Sequence, residues 1–532
     1  MEISMTREKL RFAERVLRET RAAEETAEVI VPDALPDILR IVGADAELTV
    51  RSKDTADGRV LVSGAAAVSV IYIPDGGGGA RRVNAELPFT VSAENPRITP
   101  ECRVTARVEP RSVSASALNP RKLSVRAAVF AEISCYLDTE LEIPAGVSPG
   151  NENIAELLYF EDEVNLPVDI LEKTFTVNDE YQIPASQPPV GELLKSNVAL
   201  APGDARVVGS KLIFKGAAYV SLLYAPPDGS DIVPCAFETE FSQILELENA
   251  GADSEFELIP LLTSARIDAG NTPGAETRRV AAEIRVAAQC VARSKRTIRF
   301  IRDAYCSKYA LETSVTPLSF ENSLGSRAVN AILRGTLPAP DASRVICVSA
   351  RPGAPLPRES AARILSVSAV EPRSTSAREN DSLSLACPVE VEALYIASDG
   401  SARRAEGSLE LGASVPGVGA GSLGSVRAEC SRDVYGVAAD NSIELRIPVD
   451  IRVDETEKRE YNAISALSAD EDSPVDLAAL PSLVISRVSA GDSLWSLAKR
   501  HRSTRELILS ANGLEPDAAP PGGSMLVIPK KR

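Results

Sequence analysis

One pattern recurs three times along the chain and constrains what it can fold into. In the segments Val60–Tyr72, Leu212–Tyr224 and Leu383–Tyr395, apolar residues recur at nearly every second position, and each segment ends in a tyrosine. Apolar residues at every second position are typical of a β-strand with one buried face. An Asp-Gly pair follows each tyrosine within five residues, and this pair favours a tight hairpin turn. We therefore expect antiparallel strands arranged in tandem repeats.

The first two repeats also share their beginning. Pro36 precedes Gly64 by the same 28 residues that separate Pro188 from Gly216. The third repeat has no clean copy of this start near Leu356-Pro357, so it is the most divergent. The predicted fold class is mainly β, with three tandem antiparallel, sandwich-like repeats and a small C-terminal module. The predicted repeats span residues 28–145, 170–310 and 335–455.

Two segments next to the repeats carry other patterns. Residues 1–27 place Leu10, Phe12, Ala13, Val16 and Leu17 among arginines and glutamates. This spacing predicts an N-terminal amphipathic helix that packs on a domain or partner, or else a charged helical arm. Towards the other end, Asp454–Leu480 holds eight acidic and two basic residues. Residues 456–483 are therefore predicted to be a solvated acidic linker.

The last segment, residues 484–532, reads as a separate small module. Gly491 permits a tight turn, and Asp492 or Ser493 can cap a helix that follows. Ser503 and Glu506 have the spacing of a capping box, which predicts the start of a second helix. Asn512-Gly513 would end that helix, and Met525–Pro529 is typical of a closing strand. The predicted order is strand, helix, helix, strand, with eight basic and four acidic residues.

This module resembles the LysM family, in Gly491–Trp495, Leu497-Ala498, Asn512–Leu514, Leu526 and Ile528-Pro529. LysM domains are βααβ folds that bind N-acetylglucosamine polymers such as peptidoglycan or chitin. Their groove lies between the loop after the first strand and the loop after the second helix. The resemblance thus implies that seven residues bind a glycan or a partner: Gly491, Asp492, Ser493, Leu494, Asn512, Gly513 and Leu514.

The repeats resemble the SPOCS domain of endospore-forming bacteria. The residues that carry the likeness are Val31-Pro32, Pro36–Ile38, Val68–Tyr72 and Asn119–Lys122. Tandem SPOCS domains followed by LysM resemble SipL-type spore morphogenesis proteins. That resemblance implies a protein of the mother-cell cytoplasm, at the forespore surface. It also implies action with the coat-basement ATPase, stage IV sporulation protein A, through a contact in which the LysM module takes part.

The composition of the chain argues against several kinds of functional site. The chain has one histidine, eight cysteines without a CxxC pair, and a net charge of −17. These features argue against multi-histidine metal sites, a Ser-His-Asp triad, a zinc framework and a nucleic-acid-coating role. No apolar run is long enough to cross a membrane, and no cofactor or metal is expected. The predicted function is a non-enzymatic scaffold for spore coat assembly. The alternative is a peptidoglycan-binding anchor in the wall or cortex, and a wall hydrolase is disfavoured.

Overall fold

A computed structural model describes residues 2–77, 79–148, 154–229, 231–269, 277–352, 382–418, 423–430, 434–472, 474–476, 479–515, 520 and 522–530. Strands dominate it, and the predicted mainly β architecture is confirmed. The first repeat contains β1 (Glu2–Ile3), β2 (Met5–Ile30), β3 (Ile38–Ala56), β4 (Arg59–Pro74), β5 (Arg81–Glu94), β6 (Arg103–Asn119) and β7 (Lys122–Val147).

The other two repeats follow the same order of elements. The second contains β8 (Glu156–Gln182), β9 (Glu192–Val208), β10 (Lys211–Ala225), β11 (Val233–Glu246), β12 (Glu255–Asp268) and β13 (Arg279–Tyr305). The third contains β14 (Ala310–Pro338), β15 (Ala342–Pro352), β16 (Ser382–Ala397), β17 (Ala402–Pro416), β18 (Leu423–Cys430), β19 (Tyr435–Ala439) and β20 (Ser442–Asp470).

Each repeat is a pair of antiparallel sheets around one apolar core. In the first repeat, sheet β3-β4-β5 and sheet β2-β7-β6 both contribute to that core. The second repeat uses β9-β10-β11 with β12-β13-β8. The third uses β15-β16-β17 with β14-β20, and β18 and β19 both pair with β20. The strands β4, β10 and β16, which carry the recurring pattern, lie at the centre of their sheets.

Each recurring tyrosine lies on the central strand of its sheet and hydrogen-bonds to a proline carbonyl in the segment that precedes that sheet. The Tyr72 hydroxyl donates to the Pro36 carbonyl at 3.0 Å, and Tyr224 donates to Pro188 at 2.8 Å. In the third repeat Tyr395 donates to the carbonyl of Pro340 at 3.2 Å. The counterpart of Pro36 and Pro188 in the third repeat is therefore Pro340. The predicted location near Leu356-Pro357 lies outside the described residues.

The predicted N-terminal helix over residues 1–27 is wrong, because this segment is strand β2. It pairs with β7 in antiparallel register from Met5 to Ile30. A register shift between Arg15 and Leu17 changes the phase of the strand. Phe12, Ala13, Val16 and Leu17 are all buried, but in three different clusters, and their spacing imitates one face of a helix.

The predicted acidic linker, residues 456–483, is also partly wrong. Strand β20 continues to Asp470 and pairs with β14 along residues 456–470. Ala463, Leu467 and Ala469 of this stretch are buried, whereas Lys458, Glu460 and Asp470 are exposed. Much of the charge of this segment therefore lies on the solvent-facing side of a strand. Of the predicted linker, the described residues beyond Asp470 lie outside strands until Leu483.

The first and last strands of each repeat extend beyond the sandwich as two-stranded ribbons, β2–β7, β8–β13 and β14–β20. The three ribbons pack on one another through a shared apolar cluster, which we call the ribbon bundle. Strand β1 adds to the bundle by pairing Glu2 and Ile3 with Ser468 and Leu467 of β20. The buried members of the cluster are Phe12, Ile143, Val164, Leu166, Ile298, Phe300, Leu318, Phe320 and Ala463.

The three repeats meet around a common centre. A second shared cluster takes equivalent residues from each of them, including Val42, Leu194 and Ile346. Between repeats one and two, the fully buried Gln289 accepts from Lys53 Nζ at 2.7 Å and from Ala106 N at 2.8 Å. These hydrogen bonds join repeats one and two, as the shared apolar clusters also do. The repeats therefore form one interlocked body.

Charged side chains also converge where the repeats meet, and we call them the junction cluster. Arg427 Nη2 lies 3.0 Å from Glu257 Oε1 and also contacts Asp454. Arg293 Nη2 lies 3.1 Å from the other oxygen of Glu257. Each repeat supplies one arginine and one carboxylate to this cluster: Arg18 and Glu132, Arg293 and Glu257, Arg427 and Asp454.

Among the described helices, none is both long and apolar enough for a membrane crossing.

Candidate binding module

The C-terminal module has the predicted order of elements. Its elements are β21 (Leu483–Arg487), α1 (Leu494–His501), α2 (Arg505–Asn512) and β22 (Met525–Pro529). The two strands pair in antiparallel fashion from Leu483↔Pro529 to Arg487↔Met525. A small core closes between the helices and the sheet. It is formed by Val488, Leu494, Leu497, Ala498, Ile508, Leu526 and Ile528.

The loop before α1 holds four of the predicted site residues. Gly491 has a φ of +89°, which an L side chain rarely adopts. Ser493 is the N-cap: its Oγ accepts from Ser496 N at 3.0 Å, and its own N–H donates to Ser496 Oγ at 2.9 Å. The Asp492 carboxylate accepts from Arg500 at 2.7 Å and from Ser489 N at 2.9 Å. Both polar side chains are therefore engaged within the module.

The electrostatic state of Asp492 follows from these contacts. The hydrogen bond from Arg500 and that from the backbone of Ser489 hold the pKa of Asp492 below its ordinary value. The carboxylate is thus ionised at neutral pH and tied to α1. Leu494 is buried in the core of the module. On this loop, the exposed predicted site residues are Gly491 and Ser493.

The loop after α2 holds the other three predicted site residues. The Asn512 amide donates to Ile508 O at 2.7 Å and to Val527 O at 2.6 Å, and its Oδ1 accepts from Val527 N at 2.8 Å. Gly513 ends the helix with a φ of +60°. Leu514 packs against the core of the module. Asn512 therefore fastens the end of α2 to β22.

The start of α2 differs from the prediction by one residue. Thr504 is the N-cap, and its Oγ1 accepts from Leu507 N at 3.2 Å. The Ser503 hydroxyl instead donates to the carbonyl of Pro529. The predicted Ser503–Glu506 capping box is therefore wrong. Ser503 is fully buried, and its hydroxyl bonds to strand β22 and not to the first turn of the helix.

The structure joins the two loops through the backbone. Val488 N donates to Ser524 O at 2.9 Å, and Gly523 N donates to Val488 O at 3.0 Å. Leu494 and Leu514 meet in the same core. The predicted residues thus belong to one small unit, and their exposed groups are mainly backbone at Gly491 and Gly513. Residues 516–519 and 521 of the second loop lie outside the described part of the chain.

The module docks on the end of β13, a contact that has no signal in the sequence. Trp495 Nε1 donates to Asp303 Oδ2 at 2.8 Å, and Lys499 Nζ lies 2.6 Å from Asp303 Oδ1. The Tyr305 hydroxyl donates to Ser503 O at 2.7 Å, and its ring meets the Trp495 ring edge-on at 4.9 Å. We call this contact the docking latch. It uses α1 and the turn after it, not the two predicted loops.

The charge of Asp303 is coupled to the docking latch. Burial alone raises the pKa of this carboxyl, but the hydrogen bonds from Lys499 and Trp495 bring it below the ordinary value. Docking therefore stabilises the ionised carboxylate. In the part of the chain that the structure describes, no group of three or more His, Cys, Asp or Glu is arranged to hold a metal ion.

Comparison with protein families agrees with this architecture. The model of the SipL SPOCS domain matches residues 37–118, and the model of the LysM domain matches residues 487–529. Neither the curated proteins nor the solved structures gave a match. The class defined by these domains is that of sporulation-related proteins with non-catalytic binding modules, one of them of the peptidoglycan-binding type. The chain therefore contains a SPOCS domain and a LysM domain, and this predicted resemblance is confirmed.

Proposed function

We propose that this protein is a non-enzymatic scaffold for assembly of the endospore coat, in the mother-cell cytoplasm at the forespore surface. The observation that carries the proposal is the docking latch. Asp303 and Tyr305 hold the LysM module on an interlocked body of three repeats. A partner bound to the module would thus keep a fixed position relative to a partner bound to a repeat. Such fixed spacing is what an assembly scaffold supplies.

The chemistry of the module supports a protein partner for its loops. The polar side chains of Asp492, Ser493 and Asn512 all bond within the module. A sugar polymer would therefore have to be recognised mainly through backbone groups at Gly491 and Gly513. On the scaffold proposal, the partner of these loops is the coat-basement ATPase, stage IV sporulation protein A.

A peptidoglycan anchor is the second candidate, and two observations favour it. Gly491, Ser493 and Gly513 are exposed in the loops where LysM domains bind sugars. The module also carries eight basic and four acidic residues in a chain of net charge −17. Its positive charge suits an anionic wall polymer. The first experiment must therefore offer both ligands to the same protein.

The test uses the full chain, because the docking latch covers part of the module. Ala490 is exposed beside Gly491, so Ala490→Arg places a bulky side chain on the loop. Ala252→Arg makes the same change on an exposed loop of repeat two and serves as the matched control. Wild type and both variants are mixed with purified coat-basement ATPase, and separately with insoluble peptidoglycan. Capture and sedimentation are then measured.

The outcomes separate the two candidates. The scaffold proposal expects the wild type and Ala252→Arg to capture the ATPase, and Ala490→Arg to lose at least nine-tenths of the capture. Undiminished capture by Ala490→Arg would contradict docking through the module. Sedimentation with peptidoglycan that Ala490→Arg alone abolishes, without ATPase capture, would make the module a wall anchor.

A further inference from the structure

The outer face of the third repeat exposes an unusual set of side chains. On strands β14, β20 and β19 the residues that alternate with the buried core point outwards. Ile332 is 48% exposed, Tyr435 66% and Val437 64%. Large apolar side chains are rarely grouped on a free surface without a partner. This face is therefore a candidate interaction surface, and we call it the repeat-three face.

Two arginines lie directly opposite each other at the middle of this face. Arg334 of β14 is the register partner of Arg446 of β20, and Arg446 is the partner of Tyr435 of β19. Like charges at directly opposite positions destabilise a sheet. Among the described residues, no carboxylate lies within ion-pair distance of either guanidinium, although Glu444 is on the same face. The pair is exposed and lacks a counterion within the described chain.

The other repeats do not place like charges at this position. Arg126, Glu283 and Arg446 are equivalent, because each lies three residues after the first buried residue of the last strand of its repeat. Arg126 faces Thr26 and forms an ion pair with Glu24. Glu283 faces the neutral Asn178. The unpaired arginines are thus a property of repeat three, and neither the repeat fold nor its stability requires them.

We propose that the repeat-three face binds an extended acidic segment of a partner protein, which lies across the outer face of strands β14, β20 and β19. Carboxylates of the segment lie over Arg334 and Arg446, and its apolar side chains pack between Tyr435, Val437 and Ile332. Charge complementarity selects an acidic partner, because two adjacent guanidiniums repel a basic one. This inference deepens the scaffold function by naming a second attachment point and the chemistry of its ligand.

The probe is a defined peptide. A fluorescein-labelled eight-residue peptide, two copies of Glu-Glu-Val-Val, is titrated with the full-length protein, and fluorescence anisotropy is measured. In an extended peptide this order places both residue types on each face. The matched peptide replaces every Glu by Lys. The wild-type protein should bind the Glu peptide at least tenfold more tightly than the Lys peptide, and added salt should weaken the binding. Equal affinity for the two peptides, or no binding of the Glu peptide, would overturn the proposal.

Two double variants locate the site. Arg334→Glu with Arg446→Glu should weaken binding of the Glu peptide at least tenfold. The control, Arg59→Glu with Arg206→Glu, changes the net charge equally at exposed arginines elsewhere and should leave the affinity unchanged. Equal effects of the two double variants would show that only the overall charge matters, and the site would be rejected.

The outcome of the peptide titration is distinct from the test of the scaffold function. Peptide binding that depends on Arg334 and Arg446, combined with no ATPase capture, would uphold the repeat-three face and remove the scaffold assignment.

Discussion

At the scale of single residues, the recurring glycine of the repeats is explained by an aromatic ring on one neighbouring strand and a backbone carbonyl on the other. Gly64 pairs with Phe89, and Gly216 pairs with Phe241. A Cβ atom at Gly216 would lie 2.5 Å from Phe241 Cζ and 2.8 Å from Ala201 O, and one at Gly64 would lie 2.6 Å from Phe89 Cζ and closer still to Thr49 O. In the third repeat, Leu411 is the register partner of position 387, a cysteine. Glycine thus occupies this position in the two repeats whose neighbouring strand carries a phenylalanine there.

The ring–glycine pairing predicts a rescue. Gly216→Ala should destabilise the protein by about 2 kcal/mol through overpacking. Phe241→Leu added to it should recover part of that loss, as in the third repeat. The urea midpoint of unfolding measures both effects. Gly251→Ala, at a glycine with nothing within 4 Å of a built Cβ, should leave the midpoint unchanged. A double variant no more stable than the sum of its single changes would contradict this explanation.

At the scale of elements, helix α1 is held from outside its own module. Trp495 is the single tryptophan of the chain, and it lies in the docking latch against Asp303 and Tyr305. Its fluorescence therefore reports directly on docking. Because docking lowers the pKa of Asp303, the latch is favoured at pH values above the ordinary pKa of an aspartate. It weakens as the pH falls through the pKa of the docked state.

The docking latch predicts a change in tryptophan emission. Asp303→Ala should shift the emission to longer wavelength and increase quenching by acrylamide, because the indole loses its partner and gains water. Asp303→Asn keeps an acceptor for Trp495 Nε1 and should give a smaller change. Asp57→Ala, at an exposed site on a turn of repeat one, is the control. An emission spectrum that is the same in Asp303→Ala and wild type would show that the module is not docked in solution.

At the scale of the whole molecule, the junction cluster couples the three repeats electrostatically. Burial raises the pKa of Glu257, but Arg293 and Arg427 lower it far more, so this carboxyl titrates well below an ordinary glutamate. Glu132 is shifted in the same direction by Arg18 and Arg427, against its burial. A carboxylate whose pKa is depressed by folding stabilises the protein above its unfolded pKa. That stabilisation is lost as the pH falls through the folded pKa.

The cluster predicts a pH-dependent cost of neutralising one member. Glu257→Gln leaves Arg293 and Arg427 without their shared carboxylate and should lower the free energy of unfolding by about 3 kcal/mol at pH 7. This difference from the wild type should shrink as the pH falls below about 4.5, because the wild-type carboxylate then stabilises the folded state less. Urea unfolding at several pH values measures this. Glu101→Gln, at an exposed glutamate, is the control. A cost that does not vary with pH would disprove the electrostatic role.

Much of this architecture could be predicted from local patterns. The alternation in Val60–Tyr72 and its copies identified strands, and Gly513 marked the end of a helix. The register shift at Arg15–Leu17 could not be predicted, because it changes the period of burial within one strand. The docking latch could not be predicted from the sequence either, since Asp303 and Trp495 are far apart along the chain. Of the seven predicted site residues, Asn512 and Leu494 proved to be structural members of the module, and the binding role of the set remains a prediction.

The pairing of β1 with β20 has a consequence for how the chain is made. Glu2 and Ile3 are translated long before their partners Leu467 and Ser468. At typical rates of translation, β1 waits roughly 20 to 90 seconds for its place beside β20. The contact that joins the first and third repeats through β1 therefore forms only after the strands between them have been synthesised. During that wait the apolar side of each ribbon is a natural substrate for chaperones.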